Sequence, residues 1–247
     1  WMDQYKVDGF RFDLSKGFTQ NFNTDVGAWG AKDDSRIALL KRMADKAWEY
    51  DPDVYLILEH FADNAEEIEL ANYGMMLWGN MHWDYKDLAI GTAKNIAWTH
   101  HGTRGWNDPH LIAYMESHDE QRIMYELLNY GKSSGAYDVK DFETALNRVK
   151  AAAAFFYNIT GPKMLWQFHE LGYEHPINLC EDGVSISEGC RTSPKPVEWD
   201  YLYDEDREKL FKVFQALIDL KTRYDVFKTG EFSINNETSL VKEISLV

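Results

Sequence analysis

Basic residues are scarce in this chain: 26 Lys and Arg stand against 41 Asp and Glu over 247 residues, a formal net charge of −15. A field of that sign repels phosphate backbones and anionic headgroups, so nucleic acid and charged lipid are excluded as partners. Long apolar runs are also missing. The longest lies near residues 151–157, far short of the roughly 20 that a membrane-crossing helix needs. The sequence shows no initiating Met and no basic segment leading into an apolar one. It opens at Trp1, a few residues before the first strand-like run, and reads as the middle of a longer polypeptide. Only two cysteines occur, Cys180 and Cys190, bracketing a polar loop that contains Gly183 and Gly189. Their local spacing suits a small disulfide, with two free thiols as the other reading. The disulfide is the expectation adopted, and it points to an exported protein. His60, His82, His100 and His101 show no metal-ligand spacing, and the pair His100–His101 reads as a solvated loop. Low-complexity linkers and exact repeats are absent as well.

Hydrophobic residues make up 45% and aromatic residues 15%, with nine Trp and fourteen Tyr, enough for a packed core and too many for disorder. The length allows one large α/β domain or two small ones. An acidic chain rich in Trp and Tyr suits neutral, hydroxyl-rich ligands such as sugars. Their ring faces stack on aromatics and their hydroxyls donate to carboxylates.

Short apolar runs alternate with longer amphipathic ones, the pattern of βα units. Strands are expected at 9–12, 54–58, 75–78, 111–115 and 163–166, the second of them apolar enough to be buried on both faces. Helices are expected at 36–50, 141–157 and 204–224 from their apolar spacing. A long irregular loop runs over 167–201, and 231–247 alternates like β structure. Five strands followed by helices or loops fit either an open doubly wound sheet or part of a closed β/α barrel.

Three acids stand at strand carboxyl ends: Asp13, Glu59 and Asp119. Arg11 and Asp13 are two apart on a strand and share a face, so the guanidinium favours an ionised Asp13; the competing reading is a structural ion pair. Glu59 lies between apolar Leu58 and Phe61, where desolvation raises a carboxyl pKa. Cleaving a bond between sugars needs this division of labour, one carboxylate to attack the anomeric carbon and a second, protonated, to serve the leaving oxygen.

The segment Asp8-Gly9-Phe10-Arg11-Phe12-Asp13 resembles the fourth-strand motif of the α-amylase family, glycoside hydrolase family thirteen. Leu56-Ile57-Leu58-Glu59 resembles its fifth-strand motif and Glu116-Ser117-His118-Asp119 its seventh. The run from Gly161 to Gln167 is similar to its eighth-strand segment, and Cys190-Arg191-Thr192 to Trp199-Asp200-Tyr201 is similar to secreted bacterial amylase-like enzymes. The resemblance implies an α/β fold: strands four to eight of a (β/α)8 TIM barrel over 1–226, and the start of an all-β carboxyl-terminal domain over 227–247. It implies Asp13 as nucleophile, Glu59 as general acid/base and Asp119 as the acid that grips the sugar, with Arg11 holding Asp13 and His118 bonding the same sugar. Lys16 matches the family's lysine on the leaving-group side, while Gly17 replaces the usual histidine next to it. Trp78, Trp83, Trp106 and Trp166 are candidate stacking platforms, of which Trp78 and Trp83 are favoured. The implied partner is an α-glucan oligo- or polysaccharide. The chemistry needs no cofactor or metal, although a structural calcium is compatible with the family. The family's third-strand motif would precede Trp1. Within the same resemblance stand two alternatives, a transglycosylase or branching enzyme and a non-catalytic glycan-binding relative.

Overall fold

Alternation of short apolar and longer amphipathic segments does produce βα units. The structure, a computed structural model, describes residues 1–228, 231–235 and 238–247. Strands β1 (Gly9–Phe12), β2 (Tyr55–Leu58), β3 (Met76–Asn80), β4 (Leu111–Tyr114) and a short strand Lys163–Met164 hydrogen-bond in sequence order as one five-stranded sheet. β1 with β2 and β2 with β3 pair in parallel. Rising partners, Leu77 N to His110 O and Met81 N to Tyr114 O, run β3 and β4 the same way. A doubly wound sheet reverses its order at a switch point; the sequential order is that of a segment of a β/α barrel.

The chain divides into two compact units. The first comprises Trp1–Gly79 and Trp98–Ala113. A four-residue helix α1 (Met2–Tyr5) opens it, and α2 (Asp34–Tyr50) follows β1. Asp33 caps α2 by accepting from the Ser35 and Arg36 amides, and Leu40 and Ala44 of its inner face are fully buried. Helix α3 (Asn64–Tyr73), capped by Asp63, ends at Gly74 with φ of 120°, a conformation costly for any residue with a Cβ. No expectation existed for α3, because its buried face carries Glu66 and Glu67 beside Leu70 and Ala71. Acids at core positions erase the apolar period. Burial of β2 on both faces is corrected: Leu56 and Leu58 are buried, whereas Tyr55 is 58% exposed and Ile57 half-buried. β1 approaches β2 so closely that a Cβ on Gly9 would meet the Tyr55 carbonyl oxygen at 2.7 Å.

The second unit comprises Asn80–Ala97 and Tyr114–Val247. Helices α4 (His82–Ile90), α5 (Ile123–Tyr130), α6 (Phe142–Asn158) and α7 (Glu205–Arg223) supply most of it, with a small antiparallel pair β5 (Ser133–Ser134) and β6 (Tyr137–Asp138) before α6. The strand Lys163–Met164 is β7. Aromatic edges lock the helices: Tyr85 meets Phe156 at 5.3 Å and Tyr157 meets Phe214 at 5.7 Å, a favoured geometry of rings. The 167–201 loop is held by internal bonds. Cys180 and Cys190 are disulfide-bonded, and Lys195 Nζ donates to the carbonyls of Leu179, Cys190 and Ser193. Within 227–247, residues 229, 230, 236 and 237 lie outside the described residues; β8 (Phe232–Asn235) and β9 (Glu243–Leu246) form an antiparallel pair.

Candidate active site

In the first unit, the register that pairs Phe12 with Leu58 brings the next residues of both strands together. The Glu59 amide donates to the Phe12 carbonyl at 3.0 Å, and the Ser15 amide donates to the Glu59 carbonyl at 2.8 Å. Between them the chain turns sharply at Leu14, whose φ of 43° is left-handed. That turn aims the Leu14 amide at Glu59 Oε2, 3.0 Å away.

Arg11 serves both acids. Its Nη1 lies 3.0 Å from Asp13 Oδ1 and its Nη2 2.8 Å from Glu59 Oε2. The guanidinium rests over the half-buried Trp78 ring, 5.0 Å from the centroid, within cation–π range. Asp13 acts on Glu59 through hydrogen bonding and through its charge, both of which favour the protonated form of Glu59. Their surroundings differ: the Asp13 side chain is 77% exposed and that of Glu59 13%. Burial raises the Glu59 pKa above the usual carboxylate value, and the bond and charge of Asp13 push the same way. The Leu14 amide and Arg11 oppose them. Such an asymmetric pair can hold an anion on Asp13 and a proton on Glu59.

In the second unit, β4 runs into Glu116, Ser117, His118 and Asp119. Glu116 faces inward and accepts the Ile123 amide at 2.6 Å, capping α5. Asp119 is half exposed; its Oδ2 lies 3.2 Å from His118 Nε2 and its Oδ1 3.4 Å from Arg191 Nη2. Arg191 also donates to the Asp119 carbonyl. The His118 and Trp166 ring centroids are 6.0 Å apart. A cavity of about 350 Å³ is lined by His118, Asp119, Arg122, Trp166, Arg191 and Lys195, among others.

The remaining candidates fall elsewhere. Lys16 is half-buried on the turn Ser15–Phe18, and its carbonyl accepts from Arg36. Trp83 stands on α4, 63% exposed and 5.2 Å from Lys86 Nζ. Trp106 is core: it is buried under Arg104, whose guanidinium lies 4.5 Å from its centroid and 2.7 Å from Glu67. The reading of His100–His101 as solvated is corrected, since they are 4% and 5% exposed with rings 4.4 Å apart. They lead into the turn Gly102–Arg104, whose Arg104 side chain pairs with Glu67. Among the described residues no group of three or more His, Cys, Asp or Glu could hold a metal ion. Arg122 and Arg191 went unread as site residues. Arg191 lies 72 positions from Asp119, and no local pattern links them.

No family model and no curated protein matches this sequence. Solved structures match its fold. Pullulanase from Klebsiella pneumoniae superposes with a TM-score of 0.60 at 13% identity, over 94% of this chain and 33% of that one. AmyP in complex with maltose gives 0.60 at 16%, over 95% and 50%. Pullulanase from Bacillus acidopullulyticus gives 0.59 at 15%, over 93% and 28%. The Klebsiella enzyme has also been crystallised with maltotriose. This chain therefore spans half or less of each protein, and shares with them the fold of that stretch.

Proposed function

We propose that the chain is the strand-four-to-eight part of a (β/α)8 catalytic barrel of the α-amylase family, with the start of a β domain at 227–247. The parent protein is then a retaining hydrolase of α-glucans. The observation that carries this reading is the Asp13–Glu59 pair, joined through Arg11 yet unequal in exposure.

In the first step an Asp13 oxygen bonds to the anomeric carbon as the glycosidic C–O bond breaks, and Glu59 gives its proton to the leaving oxygen. Arg11 keeps Asp13 anionic until attack and stabilises Glu59 once it has lost its proton. In the second step Glu59 takes a proton from water as the water oxygen displaces Asp13, returning both groups to their starting states. By the resemblance, Asp119 and His118 hold the sugar hydroxyls. Arg191 lies against the Asp119 carboxylate, and Trp166 offers a ring face beside His118. Maltose and maltotriose in the structural neighbours support a glucan ligand. The Cys180–Cys190 bond supports export to an oxidising compartment.

The test is turnover of maltoheptaose by the full-length protein. New reducing ends of retained α configuration are expected, with Glu59→Gln slower by about 10²- to 10⁴-fold. Near-normal turnover in that variant removes the acid/base role.

A further inference from the structure

On the buried side of Glu59, four side chains form a continuous hydrogen-bonded line. Ser15 Oγ is 2.9 Å from the Glu59 carbonyl and 2.9 Å from His60 Nδ1. His60 Nε2 is 2.8 Å from Glu66 Oε1. Arg36 closes on Glu66 bidentately, Nε to Oε1 at 2.7 Å and Nη2 to Oε2 at 2.6 Å. Ser15, His60, Glu66 and Arg36 are all fully buried.

The anchor is saturated. Arg36 spends its remaining donors on the carbonyls of Lys16, Trp29 and Ala31, using all five N–H groups of a guanidinium. Glu66 accepts from Arg36 twice, from His60 and from the Asp33 amide, filling its four acceptor sites. A carboxylate so bound can only accept, so His60 presents Nε2–H to it and turns Nδ1 to Ser15. The Ser15 hydroxyl proton is then within reach of both the imidazole and the Glu59 carbonyl.

We propose that Ser15, His60, Glu66 and Arg36 form a positioning relay that fixes the main chain at Glu59 and thereby holds its carboxyl for proton transfer. The inference rests on the reading of Glu59 as the general acid; Ser15 and His60 act through Glu59 and are positioning residues. Three observations converge on this role. The line ends on the Glu59 peptide itself. Ser15 lies two residues after Asp13 and His60 one after Glu59, so the relay ties together the two segments that deliver the carboxyls. Finally, buried ions and a buried imidazole are a poor route to stability alone, since apolar residues of similar volume pack at least as well.

The test compares two substrates in the full-length protein. Maltoheptaose has a leaving group that must be protonated, whereas α-maltosyl fluoride departs as fluoride with little need of an acid. In Ser15→Ala and His60→Gln, kcat on maltoheptaose is expected to fall about tenfold or more with KM within twofold. The first-turnover burst of fluoride from α-maltosyl fluoride is expected to stay within twofold of the parent, since on that substrate only the second step draws on Glu59. Equal loss in maltoheptaose turnover and in the fluoride burst, or no loss in either, overturns the relay while leaving the hydrolase reading in place. A parent protein that cleaves neither substrate overturns the hydrolase reading itself. A third readout needs no variant: nitrogen-15 spectra of the parent should show His60 protonated at Nε2, and a ring protonated at Nδ1 alone overturns the relay.

Discussion

Arg11 is the residue on which the two acids depend. Its two η nitrogens reach different carboxyls, and its charge lowers the proton affinity of both. Replacing it by Gln should raise the already elevated Glu59 pKa further, moving the alkaline limb of the kcat/KM profile to higher pH. Asp13 loses its cation at the same time, so the maximum of that profile should drop about 100-fold or more; both effects are read from one pH series. Part of this was legible in sequence, because the two-residue spacing on a strand puts Arg11 and Asp13 on one face. The grip on Glu59 was not, since it depends on which strand lies beside β1. Polarity also misled: His100 and His101 read as solvated because imidazoles are polar, but a neighbouring Arg104–Glu67 pair draws their turn into the interior.

Glu66 links the residue scale to the element scale, because it joins α3 to α2. Its folded pKa is lowered to about 2 despite full burial, by the bonds from His60, Arg36 and the Asp33 amide. A depressed carboxyl stabilises the fold above the unfolded value and loses that contribution as pH falls through the folded one. About 3 kcal/mol should therefore disappear between pH 4.5 and 2. Denaturant unfolding across that range checks it. In Glu66→Gln most of the loss should be present already at pH 7, with a flatter fall below pH 4.5, because Arg36 is left buried without its anion. On the sheet, Gly9→Ala should destabilise by about 1–3 kcal/mol, since a methyl would collide with the backbone of β2. Elements with apolar stripes, α2, α6 and α7, were readable to within two residues. Helices α3 and α4 were not, because Glu66, Glu67 and His82 occupy buried positions and their partners lie on other elements.

Across the whole molecule, an identity of 13–16% to solved structures of the same fold shows how little of a sequence the backbone requires. The signal for the candidate site that was legible in this sequence lies at strand ends, where Asp13, Glu59 and Asp119 stand. The Cys180–Cys190 bond belongs to this scale too, because it closes the 180–190 loop immediately before Arg191, which reaches Asp119. Replacing both cysteines by Ser should cost about 2–3 kcal/mol from the closed-loop entropy alone, seen as a melting temperature lower by several degrees. KM for maltoheptaose should rise as Asp119 loses its fixed arginine.

Leu14 carries a further consequence. A branched aliphatic residue in the left-handed region forfeits roughly 1–2 kcal/mol relative to ordinary backbone, and the return is a single amide aimed at Glu59. The position is therefore one where resilience and rate pull in opposite directions. Screening for heat tolerance should favour Asn or Gly at residue 14, and screening for turnover should penalise any change that swings the amide away from the acid.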